Sequence, residues 1–262
     1  MPVMRSAGGT VSEALAEVGS LARLAGAAGR RVGSSLLRRE PMRFGLALHQ
    51  MREAGNRSLP LVGLILLLVG MILALQSAYQ LRRFGALELV ADLVAISVTR
   101  ELAPLLTAIV VAGRVGSAIA AELGTMRVNE EVDALVVMGI DPVSFLVVPR
   151  LIGLMVALPC LTVLADVLGI VGGLLVSAFV FDLSPLVYLR ASLDALVLED
   201  VWGGLLKALM FAMVLGLVGC ERGFSVRGGP EEVGRATTSA VVVSIVLVIV
   251  VDLAMTAILY AR

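Results

Sequence analysis

"LPLVGLILLLVGMILALQSAY", residues 59–79, carries no charged side chain in 21 positions. The hydrocarbon core of a bilayer is about 30 Å thick and takes about 20 apolar residues of helix to cross. In lipid, only a helix or a closed barrel satisfies every backbone N–H and C=O internally. The stretch therefore reads as a transmembrane helix. The whole chain agrees with it: 59% of its 262 residues are hydrophobic and 16% are charged, where a soluble domain carries about 25% charged residues.

Four more apolar runs follow, giving spans at about 59–80, 89–123, 147–181, 201–220 and 240–260. The second run is interrupted by Asp92, Arg100, Glu101, Arg114 and Glu122, and it is too long for one perpendicular crossing. It must tilt, kink at Pro104 or project beyond the membrane. The third run holds Arg150 and Asp166, with prolines at 149 and 159. Residues 182–200 read as an acidic, polar connection, and residues 221–239 as a polar loop. No internal repeat is evident, so an inverted-repeat carrier gains no support.

Upstream, residues 1–58 hold nine Arg and four Glu. Leu15, Val18, Leu21 and Ala25 recur at helical spacing. Phe44, Leu48 and Met51 share a second helical face, with Pro41 suited to a first turn and Arg43 and Arg52 pointing elsewhere. A basic amphipathic helix beside a span lies in the membrane interface; a solvated tail is the other reading. The chain thus divides into a basic tail with an interfacial helix, 1–58, and a membrane domain, 59–262. The fold class is an all-α integral membrane protein: an N-terminal interfacial amphipathic helix, five transmembrane helices and a cytoplasmic helix between the second and third.

Arg placement sets the orientation. The tail, the 221–239 loop and the Arg114–Arg127–Arg150 region carry the positive charge on one side. Arg82, Arg83, Arg190 and Arg262 fall on the other. Five spans then place the N-terminus in the cytoplasm and the C-terminus outside, in the periplasm if the membrane is a bacterial inner membrane.

On that topology, "ELGTMRVNEEVDALVVMGIDP" (122–142) is cytoplasmic. Asn129 suits a helix cap, and Glu130, Glu131 and Asp133 fill a first turn where the helix dipole favours anions. Val132, Leu135 and Val136 form an apolar stripe, and Gly139 and Pro142 stop the helix. The stripe either packs on the protein's own spans or docks in a partner's groove.

Several chemistries find no support. The one His, His49, is too little for a histidine-built metal site, and Cys160 and Cys220 read as buried free thiols rather than a disulfide. No G-x-x-x-x-G-K-[ST] loop exists, so the chain is not an ATPase, and no arrangement suits nucleophilic catalysis. No catalytic or metal-binding residue is expected, and zero formal net charge implies no nucleic-acid partner.

The segments "RELAPLL" (100–106), "AGRVGSAIAAELGTMRVNEEVDALVVMGIDP" (112–142), "VVPR" (147–150) and "GRATTSAVV" (234–242) resemble the MlaE/YrbE family of ABC-transporter permeases in order and spacing. Ala103 stands where Gly is expected, and Asp166 where an apolar residue is expected. The resemblance implies a homodimeric inner-membrane permease of a phospholipid-transport system. Its implied partners are an MlaF-like ATPase, which holds ATP and Mg, an MlaB-like STAS protein and an MlaD-like periplasmic MCE protein. This chain itself would bind no cofactor. Residues 124–142 would be the coupling segment, with Glu130, Glu131, Asp133, Leu135, Met138 and Asp141 at the ATPase.

Arg100 and Glu101 are the sharpest candidates for a substrate site. An ionisable group in mid-span costs about 2.5–3.5 kcal/mol on insertion scales and faces a cavity or a partner. Adjacent residues point about 100° apart, so each needs its own partner. One reading is a phospholipid site, with Arg100 at the headgroup and Leu73, Gln76 and Tyr79 of the first span lining it. The other is a structural pair between spans, for instance Arg100 with Asp252. Around Arg114, Ala112, Gly116 and Ala120 recur at the spacing of close helix packing. Two rival functions stay open: a non-transporting scaffold for an ATPase–MCE complex, and a proton-coupled carrier using Glu101, Asp166 and Asp252.

Overall fold

The computed structural model describes residues 44–260 and, ahead of them, Gly19, Arg23, Leu24 and Gly26. The expected helical face at Leu15, Val18, Leu21 and Ala25, and Pro41 with Arg43, lie outside the described residues. Among the described residues every regular element is helical. Five helices are long and apolar enough to cross a membrane: Gln50–Phe84, Leu87–Val128, Val143–Phe181, Leu198–Phe224 and Pro230–Leu259.

Helix α1 runs unbroken from Phe44 to Leu81. Residues 44–58, expected as part of an interfacial helix, are thus not a separate helix. They continue straight into the first span, through Pro60. A proline in a helix loses one backbone hydrogen bond and crowds the carbonyl four residues back. Here that residue is Asn56, exposed like Pro60 itself, so solvent or headgroups can satisfy the freed carbonyl.

Rod α2, Leu87–Val128, resolves its excess length in a way the sequence did not announce. Three α-helical pieces, Val90–Ser97, Ala103–Val111 and Ser117–Val128, are joined by π-helical turns at Val98–Leu102 and Ala112–Gly116. Such turns are rare and gather at functional positions. The first holds Arg100 and Glu101 and hands over to Pro104 at the start of the next piece; the second holds Arg114.

Short helix α3, Glu131–Val137, comes after a two-residue turn. Helix α4, Val148–Phe181, is preceded by another π-turn at Val143–Val147. Residues 182–200, expected as a polar connection, contain helix α5, Pro185–Ala195, with Pro185 in its first turn. Helix α6 covers Leu198–Phe224 and α7 Pro230–Tyr260.

The most extensive packing is between α1 and α4. It depends on Gly70, Gly169 and Gly172, where any Cβ on Gly70 or Gly172 would collide with the facing backbone. One core cluster, around Leu66, Val94, Val98 and Val176, joins α1, α2 and α4. The other, around Ile119, Leu123, Leu151, Leu158, Phe211 and Leu215, joins α2, α4 and α6 toward the α3 end, and Val132 and Leu135 of α3 belong to it. Of the five spans, α7 is the least buried: Val242, Val246, Ile249, Val250 and Leu253 are exposed along it. Cys220 is buried as expected, but Cys160 is exposed on α4; both are free thiols.

Candidate functional site: an ionic cluster between spans and a short exposed helix

The first π-turn of α2 sends its two adjacent charges to different partners on one helix. Arg100 Nε donates to Asp200 Oδ1 at 2.5 Å. Glu101 Oε2 accepts from Lys207 Nζ at 2.6 Å. Asp200 and Lys207 sit seven residues apart on α6, two turns along the same face and about 10 Å of axial rise at 1.5 Å per residue. Lys207 also meets Asp252 Oδ1 at 3.1 Å and donates to Thr256 Oγ1 at 2.7 Å, both on α7. Thr256 in turn donates to Glu101 Oε1 at 3.0 Å. Two neighbouring sets of contacts result: Arg100 with Asp200, and Glu101 with Lys207, Asp252 and Thr256, drawn from α2, α6 and α7.

Close approach makes this possible. Gly204 lies between Asp200 and Lys207 on α6, and a Cβ there would stand 2.5 Å from the Thr99 carbonyl oxygen in the π-turn. Further along α6, a Cβ on Gly219 or Gly223 would stand 3.1 Å from the Gly116 or Ala120 carbonyl oxygen of α2. Ala112, Gly116 and Ala120, the small residues expected to serve helix packing, are all buried.

In both sets the α6 partner is buried and the α2 partner is not. Lys207 is 0% exposed and Asp200 1%, whereas the Arg100 and Glu101 side chains remain about one-third exposed. Together they hold two cations and three carboxylates. Arg100 is thus paired with Asp200 and not with Asp252, the structural partner the sequence offered. Asp252 belongs to Lys207. Asp166 joins none of these pairs: its Oδ1 is buried in α4 without a hydrogen-bond partner.

Of the expected lining residues on α1, Leu73 is half-buried in the core while Gln76 and Tyr79 are exposed on the helix surface. Tyr79 is engaged by Arg83, whose guanidinium donates to its hydroxyl at 3.1 Å and lies 5.1 Å above its ring. Among the described residues, no three His, Cys, Asp or Glu side chains gather as they would around a metal ion.

At the other end, α2 turns into α3 through Asn129 and Glu130. Asn129 does not cap α3; it ends α2, its N–H bonded to the Thr125 carbonyl at 2.9 Å. Glu130 occupies the cap position with φ +60, and α3 starts at Glu131. A two-residue reversal needs a left-handed residue, and here that is Glu130. Arg127 pairs with Asp133 across the turn, and Asn129 Nδ2 donates to Glu131 Oε1 at 3.2 Å. Gly139, at φ +76, ends the segment as expected. Asp141 caps the π-turn ahead of α4: its Oδ2 accepts from the Ser144 N–H at 3.0 Å and hydroxyl at 2.6 Å.

The expected apolar stripe splits. Leu135, at 8% exposure, packs inward with Val132, while Val137, at 87%, stands outward with Val136 and Met138. Glu130, Glu131 and Asp133 ring that outward edge and are also exposed.

Over residues 47–258 the chain matches the family described as Permease MlaE. A "Probable ABC transporter permease protein" of Rickettsia typhi is 39% identical over 87% of this chain and 88% of its own length. One of Synechocystis is 40% identical over 78% and 77%. The chloroplastic Arabidopsis thaliana protein TRIGALACTOSYLDIACYLGLYCEROL 1 is 37% identical over 78% of this chain and 59% of its own length. With five spans, a short exposed helix between the second and third, and matches of this length, the chain belongs to the MlaE family of ABC-transporter permeases.

Proposed function

We propose that this permease moves phospholipid between a bacterial inner membrane and a periplasmic MCE carrier, driven by ATP hydrolysis on a separate MlaF-like chain. It would work as a homodimer, with an MlaB-like STAS protein on the ATPase and the N-terminus in the cytoplasm. The observation that carries the reading is the ionic cluster. Lys207 with Glu101 and Asp252 is satisfied within one chain. Arg100, held by the buried Asp200, keeps about one-third of its side chain exposed. Apolar walls with few polar groups suit an acyl chain and headgroup, and a guanidinium binds phosphate in a planar, two-pronged way. A chloroplast relative that carries the name of a galactolipid favours a lipid cargo over other classes.

The ATPase would dock on α3 through Val136, Val137 and Met138 and the acids around them. The scaffold reading predicts no transport at all. The proton-carrier reading finds less support, because Glu101 and Asp252 converge on Lys207 while Asp166 joins neither. Co-reconstitution with the ATPase in liposomes tests the proposal: labelled phospholipid should leave donor liposomes only with ATP. Arg100→Ala should lower both bound phospholipid and transport while dimer yield and ATPase binding persist. Transport without ATP, or unchanged lipid occupancy with lowered thermal stability, would sink it.

A further inference from the structure

A second cationic position lies at the opposite end of α2, away from the cluster. A cavity of about 80 Å³ opens between the first turns of α1 and the α2 segment after the second π-turn. Gln50, Glu53, Arg57, Arg114 and Glu122 form its polar rim, and Ala118 its apolar floor with Ile119 beside it. Glu53 is held by Arg57 at 2.9 Å. Glu122 is held at 2.8 Å by Arg150, whose own side chain is buried. Arg114 is exposed, and among the described residues its guanidinium has no hydrogen-bond or ion-pair partner. Both carboxylates are therefore compensated, and Arg114 is the surplus cation.

The depth of this cavity is set by α1. Arg57 is its last charge before twenty-four uncharged residues, 58–81. At 1.5 Å per residue these cover about 36 Å, enough for the roughly 30 Å hydrocarbon core. Arg57, and with it Arg114, stands at the level of lipid headgroups in the leaflet beside α3. On its outer side the π-turn is open: Gly113 is exposed, and a Cβ there would touch nothing. The turn carries Arg114 away from the small-residue face that packs on α6 and toward α1.

We propose that this cavity holds the phosphate of a glycerophospholipid from the α3-side leaflet, gripped by Arg114 with Arg57 alongside. Two guanidinium groups present planar pairs of N–H donors that match phosphate oxygens. Ala118 and Ile119 lie where the glycerol and first methylenes would rest. This goes beyond the transport reading, since a lipid held here need not be one that is moved. Its failure would leave that reading standing.

Site-specific photocrosslinking tests it. A benzoylphenylalanine at exposed Ala118 in the full chain should capture radiolabelled phosphatidylglycerol from vesicles of phosphatidylglycerol and phosphatidylethanolamine. The same probe at Val246, exposed on α7, reports bulk lipid contact. Arg114→Gln, and Arg57→Gln separately, should cut capture at 118 by about tenfold and leave capture at 246 unchanged. Arg114→Lys should retain part of it. Equal capture in the variants overturns the proposal, as does equal capture of labelled diacylglycerol, which has no phosphate. Crosslinking of 118 to a second copy of the chain would make the surface a protein interface and also overturn it. Complete displacement of the lipid by millimolar inorganic phosphate would assign the cavity to free phosphate instead.

Discussion

Glu101 and Asp133 are both carboxylates paired to a cation, but the pairs are built differently. Glu101 reaches a lysine 106 positions along the chain, on another helix, with no exposure on the lysine's side. Asp133 reaches an arginine six positions back, across a turn, with both partners exposed. A buried pair is expensive to break, because removing one partner leaves an uncompensated charge away from water. An exposed pair is screened and contributes little. The same chemistry should therefore govern architecture between the spans and only local shape at α3.

The largest effect is expected at Lys207. Lys207→Met strands Glu101 and Asp252 together and should cost about 3–5 kcal/mol, seen as a large drop in thermal stability of the detergent-solubilised protein. Neutralising all three groups, with Glu101→Gln and Asp252→Asn added, should recover most of that loss. If Lys207→Met alone leaves stability intact, the cluster is not a buried ionic network. If the triple variant regains stability but not transport, the charges serve more than packing.

Gly204→Ala comes next. Its new methyl would press on the Thr99 carbonyl and drive α6 from the π-turn, at about 1–3 kcal/mol for an overpacked contact. Arg100–Asp200 and Lys207–Glu101 should weaken together. A protein as stable as wild type would mean the helices are not held this close.

How far these two regions could be read from sequence differs for the same reason. The α3 segment is local: its acids, its stop at Gly139 and its existence as a helix come from spacing within about 20 residues. What failed there was also local. Asn129 looks like a cap, but a two-residue reversal requires a left-handed residue, and Glu130 supplies it. The cluster is not local. Arg100 and Glu101 stood out because charge inside a span needs a partner, but spacing cannot tell which helix supplies it. Asp200 lay hidden in a stretch that looked like a polar connection. Lys207 sits inside the fourth apolar run, where spacing names no partner for it. The signal was present, since a lone lysine in an apolar run carries the same insertion cost as Arg100. The π-turns left no readable mark: glycine and proline near them also fit an ordinary kink.

At α3, two substitutions two residues apart separate the inward side chain from the outward edge. Val137→Asp adds charge to an outward side chain and should leave the fold alone while lowering ATPase co-purification about tenfold or more. Leu135→Asp buries a charge in the permease's own core and should instead lower the yield of folded protein. Leu135 is thus a poor probe of the partner despite lying on the predicted stripe. Should Val137→Asp retain the full complement of ATPase, the outward edge of α3 is not the contact.

The smallest stability effect belongs to Arg127 and Asp133. Both side chains are exposed, at 37% and 59%, so water and salt compete for each charge. Exposed pairs measured by double-mutant cycles are worth about 0.2–1 kcal/mol. Arg127→Gln and Asp133→Asn, alone and combined, should therefore give a coupling energy under about 1 kcal/mol that shrinks as salt is raised. The pair still spans the turn that sets the direction of α3, so its loss can tilt the helix without unfolding anything. ATP hydrolysis in the reconstituted complex should then become less tightly coupled to transport, at nearly unchanged thermal stability. A coupling energy as large as that of the Lys207 cluster, insensitive to salt, would show that the turn is shielded from water in the assembled transporter, and the contrast between the two regions would fall.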